Sequence, residues 1–227
     1  MRTDIYTGRP DNVFYRFLWA LGVGACSCLF RLHVAGRQFV PRRGGVILAS
    51  NHASYADPVF IGVAACRELS YVTKQEAFPV PVLGWLIRKL NALPIDRSRG
   101  DRGALRGIEG RLKAGGAMFL SPEGTRNKSS RLRPPKDGVG MLAYRARVPV
   151  VPVYISGTVN IWTSLIGLNR VTVRFGEPIR VSPAGLPARR RAAYRSISSE
   201  VMHCIGNLRP RRRNTGPPAP GAMLERR

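Results

Sequence analysis

A histidine and an aspartate, His52 and Asp57, are the residues whose types and spacing best fit a chemical role. They follow residues 46–49, an apolar run that predicts a buried strand. Imidazole titrates near neutral pH and accepts a proton from a hydroxyl. A carboxylate bonded to the far ring nitrogen fixes the tautomer and stabilises the imidazolium. The pair predicts a general base with its orienting partner, and a helix N-cap is a second, compatible role for Asp57.

The elements that must position this pair alternate between strand-like and helix-like segments. Predicted strands are 31–40, 46–50, 69–73, 92–95, 117–121, 150–156 and 171–175. Predicted helices are 57–66, 82–90, 102–114, 138–147 and 188–208. This alternation predicts an α/β fold with a mostly parallel central sheet flanked by helices. Active groups collect past the carboxyl ends of such strands, where His52, Glu123 and the pair Asp96 and Arg97 follow predicted strands.

Three parts of the chain differ in composition. Residues 1–32 predict a membrane-associated helical segment, because two arginines flank apolar residues 17–30. That apolar run is shorter than the roughly 20 residues of a membrane span, and a buried core helix is the alternative. Residues 33–208 predict the catalytic domain. Residues 209–227 are rich in Pro, Gly and Arg and predict a disordered basic tail.

The charge of the chain is strongly positive. Its 37 Lys and Arg residues outnumber its 13 Asp and Glu residues, which gives a formal net charge of +24. Such a charge favours anionic partners, namely membrane lipid, phosphorylated substrates or nucleic acid. The excess of Arg over Lys also fits a bias in genomic base composition, so the charge alone does not choose a function.

The cysteines do not predict a metal site. Cys26, Cys28, Cys66 and Cys204 form no CxxC pair, and no histidine lies at zinc-ligand spacing from the first two. We therefore expect reduced, structural cysteines and no bound metal.

Four blocks of sequence occur together in a recognisable order. They are residues 51–57, 93–97, 121–126 and 148–153. Together they resemble the glycerolipid acyltransferase family, which includes the bacterial 1-acylglycerol-3-phosphate acyltransferases. The family's NHxxxxD motif is complete at 51–57 and its PEGTR motif at 122–126. The resemblance covers roughly residues 46–176 and implies the glycerolphosphate acyltransferase-like α/β fold.

The resemblance implies an O-acyltransferase of phospholipid synthesis. A fatty acyl group would pass from acyl-CoA or acyl carrier protein, as co-substrate, to the free hydroxyl of 1-acylglycerol 3-phosphate (lysophosphatidate), forming phosphatidate. His52 would be the general base, Asp57 would orient it, and no bound cofactor is expected. The expected location is the cytoplasmic face of the cell membrane, as a peripheral or monotopic protein.

Two alternatives to this function stay open. Pro94, Ser121 and Asn127 differ from the residues common at those positions in the family, so another lysophospholipid, glycerol 3-phosphate or a glycolipid is an alternative acceptor. The second alternative is a different class of protein, one that binds membranes or nucleic acid without catalysing a reaction. Such a protein would not need both complete motifs. The chain also has no recognised nucleic-acid-binding motif, so no specific nucleic acid is expected as a partner.

The resemblance also implies the residues that bind the acceptor. Arg97 and Arg126 would hold the phosphate, because a guanidinium binds phosphate through two hydrogen bonds. Glu123 would bind an acceptor hydroxyl or support Arg126, Gly124 would let the backbone approach the ligand, and Thr125 belongs to the same motif. The competing interpretations are a solvated charged face for Arg97 and an internal salt bridge between Glu123 and Arg126.

Aromatic and apolar residues mark candidate contacts with the membrane or the acyl chain. Residues 78–90 are strongly apolar and end in basic residues, which favours a membrane-contacting helix and equally fits a core helix. The candidate residues are Trp19, Phe78, Trp85 and Leu86.

Overall fold

The computed structural model describes residues 13–89, 91–95, 102–129, 131–165, 168–182 and 186–210. The strands are β1 (His33–Ala35), β2 (Val46–Ser50), β3 (Leu69–Lys74), β4 (Ala92–Ile95), β5 (Ala117–Leu120), β6 (Val150–Ser156) and β7 (Thr172–Phe175). The helices are α1 (Val13–Phe30), α2 (Asp57–Ala65), α3 (Pro81–Lys89), α4 (Arg102–Lys113), α5 (Gly138–Ala146), α6 (Ile161–Leu165) and α7 (Arg190–Asn207). Two 3-10 turns cover Arg37–Phe39 and Gln75–Ala77.

The described strands form one sheet in the order β1-β7-β6-β2-β5-β3-β4. Every neighbouring pair is parallel except β6 and β7, so the predicted mostly parallel sheet is confirmed. Strand β2 is central: Ala49 pairs with Leu120 of β5, and Ser50 pairs with Val153 of β6. The carboxyl ends of β2, β5 and β6 therefore meet at one edge of the sheet.

Helices cover both faces of the sheet. Val46 and Leu48 of β2 point into a core shared with α1 and α2, whereas Ile47 and Ala49 point into a core shared with α4, α5 and α7. All of β2 is buried, as its continuous apolar run predicts for a parallel strand covered on both sides.

The first predicted strand, 31–40, was too long. Strand β1 ends at Ala35, because Gly36 takes a left-handed conformation with φ of 75° and leads into the turn Arg37–Phe39. A Cβ at position 36 would lie 2.0 Å from the carbonyl oxygen of Phe175, so glycine is required for the chain to pass β7. Helix α6 was not predicted, and α7 begins at Arg190 rather than at residue 188.

Helix α1 packs against α2 on one side and is exposed on the other. A Cβ at Gly22 would lie 3.1 Å from Val63 of α2, and Cys26 is buried in the core. Phe17 and Leu21 are exposed. Among the described residues, no helix combines the length and apolar character needed to cross a membrane.

The division of the chain at residues 32 and 208 stays a prediction. Residues 1–12 and nearly all of the predicted tail, 211–227, lie outside the described residues.

All four cysteines are free. Burial raises the pKa of the Cys26 thiol to about 11, and burial together with the charge of Glu200 raises the pKa of Cys204. Because the thiolate is the reactive form, a raised pKa lowers the reactivity of both thiols.

A buried arginine joins the loops at the opposite edge of the sheet. Arg67 donates hydrogen bonds to the carbonyl oxygens of Pro41, Gly44 and Gly115, over 2.6, 2.5 and 2.7 Å. Only 3% of this residue is exposed, and burial lowers its pKa to about 10, so it is charged at neutral pH. Its contacts join the segments that lead into β2 and β5, the strands that carry the two sequence motifs.

Candidate active site

His52 and Asp57 form a hydrogen-bonded pair where β2 gives way to α2. His52 Nδ1 lies 2.9 Å from Asp57 Oδ2, with 18% of the histidine side chain and 0% of the aspartate side chain exposed. Because an ionised carboxylate only accepts hydrogen bonds, Nδ1 carries the proton and donates it. Nε2 is then left with its lone pair, as a general base requires.

The Asp57 carboxylate is held from several directions. Oδ2 also accepts hydrogen bonds from the backbone N–H groups of Ala53 and Ser54, over 2.6 and 2.8 Å. Oδ1 accepts a hydrogen bond of 2.5 Å from the Thr158 hydroxyl. Ala56, not Asp57, is the N-cap of α2, so the capping role considered for Asp57 is wrong. Its carboxylate instead closes the turn that precedes the helix, next to the positive end of the helix dipole.

Asn51 joins this turn to β6. Its side-chain amide donates to the carbonyl oxygen of Ile155 and accepts from the N–H of the same residue, both over 2.9 Å. The regular β2–β6 pairing ends at Ser50 and Val153, so the side chain continues the ladder where the backbones separate. The first residue of NHxxxxD thus keeps the end of β6 beside the histidine.

The PEGTR loop follows β5 and lies against the same turn. The N–H of Asn127 donates to the carbonyl oxygen of His52 over 2.6 Å. The Asn127 side chain donates to Glu123 Oε2 and to the carbonyl oxygen of Arg131, each over 2.7 Å. Asn127, which differs from the family's common residue, therefore directly connects the PEGTR loop to the NHxxxxD turn.

Glu123 is buried and has partners within its own loop. Its Oε2 accepts hydrogen bonds from Asn127 and, over 3.3 Å, from the N–H of Arg133. Both Glu123 and Arg126 are described, and no ion pair joins them. The alternative of a salt bridge between these two residues is wrong.

Arg126 lies on the ring of Tyr55, a residue of the turn that follows His52. Its guanidinium carbon is 3.4 Å from the ring centroid, and Nη2 donates to the Tyr55 hydroxyl over 2.7 Å. Both residues are exposed, and Tyr55 is only three positions after His52 in the chain. The geometry thus presents a cation to solvent close to the histidine.

The turn of the PEGTR loop depends on its glycine. Gly124 has φ of 71°, and a Cβ there would lie 2.8 Å from Cδ of Lys136. The N–H of Lys136 donates to the carbonyl oxygen of Pro122 over 2.8 Å, which places this lysine beside the loop. Thr125 is exposed and its hydroxyl donates to the carbonyl oxygen of Arg126 over 3.2 Å.

The predicted site residues are not all brought together. Arg97 lies outside the described residues, as does the side chain of Leu86. Phe78 is half-buried and Arg88 lies over its ring, whereas Trp85 of α3 is 50% exposed. In the described parts of the chain, no group of three or more His, Cys, Asp or Glu residues is arranged to hold a metal ion.

The sequence of this chain is similar to those of known acyltransferases. The Acyltransferase family model matches residues 31–156. A 1-acyl-sn-glycerol-3-phosphate acyltransferase of Streptococcus pneumoniae is 29% identical over 176 residues, which cover 76% of this chain and 65% of that protein. The chloroplastic 1-acyl-sn-glycerol-3-phosphate acyltransferase BAT2 of Brassica napus is 31% identical over 146 residues, 62% of this chain and 42% of that protein. The chain thus spans less than two thirds of either relative.

A solved structure extends the likeness to most of the chain. The crystal structure of the 1-acyl-sn-glycerophosphate (LPA) acyltransferase PlsC from Thermotoga maritima matches with a TM-score of 0.68 and 27% sequence identity, covering 86% of this chain and 80% of that one. Since the family model spans more than half of the 227 residues, this chain belongs to the Acyltransferase family.

Proposed function

We propose that the protein transfers a fatty acyl group from an acyl thioester to the free hydroxyl of lysophosphatidate, forming phosphatidate. The observation that carries this proposal is the His52–Asp57 pair, whose buried carboxylate holds Nδ1 and leaves Nε2 as the base. Membership of the Acyltransferase family supports acyl transfer, and the names of the similar proteins support lysophosphatidate as the acceptor.

The proposed chemistry passes the acyl group directly from donor to acceptor through a tetrahedral intermediate. Nε2 of His52 takes the proton of the acceptor hydroxyl while its oxygen attacks the thioester carbonyl carbon. Asp57 stabilises the resulting imidazolium. Collapse of the tetrahedral intermediate breaks the carbon–sulfur bond, and the leaving thiolate takes the proton from the imidazolium. Because a thioester is already activated, no covalent acyl-enzyme is required.

The acceptor's identity is tested with a panel of acceptors and two donors. Purified protein is mixed with one donor, either acyl-CoA or acylated acyl carrier protein. One acceptor is added, namely lysophosphatidate, another lysophospholipid, glycerol 3-phosphate or a glycolipid, and the products are identified by lipid mass spectrometry. We expect preferential formation of phosphatidate. A preference for another acceptor would show that lysophosphatidate is not the substrate. The other acceptors are included because Pro94 and Ser121, beside the motifs, differ from the residues common in the family.

Arg126, with Arg97, is proposed to bind the acceptor's phosphate. Arg126→Ala is expected to raise the KM for lysophosphatidate about tenfold, because a hydrogen bond to a charged group contributes about 1.5–3 kcal/mol. The value of kcat should change much less, since the phosphate keeps its charge throughout the reaction.

The control for this prediction is Arg145→Ala. Arg145 is also exposed, lies in the last turn of α5 and pairs with Glu109 of α4, not with a residue of either motif. Steady-state kinetics with varied lysophosphatidate measure both variants. An unchanged KM in Arg126→Ala, or an equal rise in Arg145→Ala, would remove Arg126 from the phosphate site.

We also propose that the protein acts at the cytoplasmic face of the membrane, where its acceptor lies and its acyl donors are available. Support comes from exposed apolar side chains on α1 and from two exposed tryptophans. Trp85 lies on α3, and Trp162, which is 73% exposed, lies on α6, a helix in contact with α1. Tryptophan favours membrane interfaces, and a net charge of +24 favours anionic lipid.

Membrane binding is expected to weaken when the apolar face of α1 becomes polar. Phe17→Ser combined with Leu21→Ser should lower co-sedimentation with vesicles containing phosphatidylglycerol, because each buried CH₂ contributes about 0.8 kcal/mol to binding. Gly107→Ser is the matched control, since a side chain at that position of α4 meets no atom within 4 Å. Equal vesicle binding by the double variant and the control would contradict a role for this face.

A further inference from the structure

The fourth donor to the Asp57 carboxylate comes from a distant part of the chain. Thr158 follows β6 and lies 101 residues after Asp57 in the sequence. Its hydroxyl lies 2.5 Å from Oδ1, and the exposed fractions of the two residues are 1% and 0%. Because the ionised carboxylate has no proton to give, the threonine hydroxyl is the donor.

The four hydrogen bonds are divided unequally between the two carboxylate oxygens. Oδ2 takes the bonds from His52, Ala53 and Ser54, whereas Oδ1 takes the bond from Thr158. With a donor on each oxygen, the carboxylate is fixed against rotation about its Cβ–Cγ bond. Loss of the threonine hydroxyl would leave a buried, charged oxygen without this partner, which favours rotation or movement of the carboxylate away from Nδ1.

The backbone around Thr158 is itself held in place. Gly157 has φ of 90°, and a Cβ there would lie 2.3 Å from the carbonyl oxygen of Arg170. The hydroxyl of Ser164 donates to the carbonyl oxygen of Gly157 over 2.7 Å. The Asn51 amide fixes Ile155 just before this turn. The turn therefore holds the Thr158 hydroxyl in a fixed position next to Asp57.

We infer that Thr158 is a positioning residue for the reaction: its hydroxyl fixes the Asp57 carboxylate so that His52 is held in its reactive tautomer and orientation. The inference rests on the proposed acyl transfer. It adds Thr158 to His52 and Asp57 as a third residue needed for general-base catalysis. Thr158 acts through Asp57 and makes no contact with substrate in this role.

Thr158→Val tests the inference because it removes the hydroxyl with little change in side-chain shape. We expect kcat for acyl transfer from acyl-CoA to lysophosphatidate to fall about tenfold or more, while the KM for lysophosphatidate changes less than threefold. Thr158→Ser should restore most of kcat, because it keeps the donor. Thr163→Val is the matched control: Thr163 lies on α6, five positions after Thr158, and its hydroxyl donates to the carbonyl oxygen of Asn160 rather than to Asp57.

The inference fails if kcat of Thr158→Val stays within twofold of Thr163→Val, or if Thr158→Ser is as impaired as Thr158→Val. Circular dichroism and thermal unfolding check the fold. If the valine variant does not fold, Thr158→Ser and Thr158→Ala are compared instead, with the same outcomes.

A double-mutant cycle with Asp57→Asn separates positioning from general destabilisation. If Thr158 acts through Asp57, adding Thr158→Val to Asp57→Asn should lower kcat by less than threefold, and a fully additive loss would overturn the inference. The wild-type protein is assayed alongside. A wild type that forms no phosphatidate refutes the proposed function, whereas an active wild type with an unimpaired Thr158→Val refutes only the role of Thr158.

Discussion

Replacing His52 with alanine is expected to lower kcat for acyl transfer by about 10²–10⁴-fold, the contribution typical of positioned proton transfer. The imidazole is partly exposed and its ring edge meets Phe119 with the centroids 5.9 Å apart, so its removal leaves a small gap at the surface of the core. The fold should therefore survive. Phosphatidate formation at saturating acyl-CoA and lysophosphatidate measures the effect.

His203→Ala is the control for this substitution. His203 is exposed on α7, where it contacts Asn207 one turn later, and it takes no part in the proposed site. Its loss should leave kcat within about twofold of wild type. If His52→Ala retained a comparable rate while remaining folded, the general base would have to be another group.

Replacing Arg67 with methionine is expected to lower the free energy of unfolding by about 3 kcal/mol or more. The guanidinium donates to three backbone carbonyls at the edge of the sheet away from the motifs. Methionine fills much of the same volume but donates nothing, so three part-buried hydrogen bonds from a charged donor are lost. A hydrogen bond to a charged group contributes about 1.5–3 kcal/mol, and water reaching the part-exposed carbonyls offsets some of that loss. Urea denaturation followed by circular dichroism gives the difference.

Arg37→Met is the matched control for that measurement. Arg37 is exposed, and its Nε donates to one carbonyl oxygen, that of Ala64, over 2.8 Å. Its loss should cost about 1 kcal/mol. Equal stability of the two variants would mean that the three hydrogen bonds of Arg67 contribute no more than the single hydrogen bond of Arg37.

The central strands were predictable because their physical signal is local. Residues of β2, β5 and β6 form apolar runs, as expected of parallel strands buried on both faces, and the structure places all three next to one another. The NHxxxxD and PEGTR motifs follow β2 and β5. Their meeting at one edge of the sheet follows from parallel pairing alone.

Other features depend on contacts between distant segments, which leave no local signal. Thr158 reaches Asp57 across 101 residues, and Arg67 binds a carbonyl oxygen 48 residues away. Neither residue belongs to a sequence pattern that indicates its partner. Strand β1 was predicted too long because the constraint on Gly36 comes from Phe175 of β7, not from neighbouring residues.

Asn127 shows what a difference in sequence does not reveal by itself. Beside the PEGTR motif it only indicated an altered acceptor preference. In the structure its backbone binds the carbonyl oxygen of His52 and its side chain binds Glu123, so its role in joining the two motifs is visible only once the fold brings them together.

The central claim is that His52 activates a lipid hydroxyl for direct attack on a thioester. The most direct measurement follows free thiol and phosphatidate in the same reaction, with acyl-CoA present and lysophosphatidate either added or omitted. The account predicts thiol release only when lysophosphatidate is present, with one phosphatidate formed for each thiol, and loss of both in His52→Ala. Thiol release at a similar rate without lysophosphatidate, or without matching phosphatidate, would contradict it.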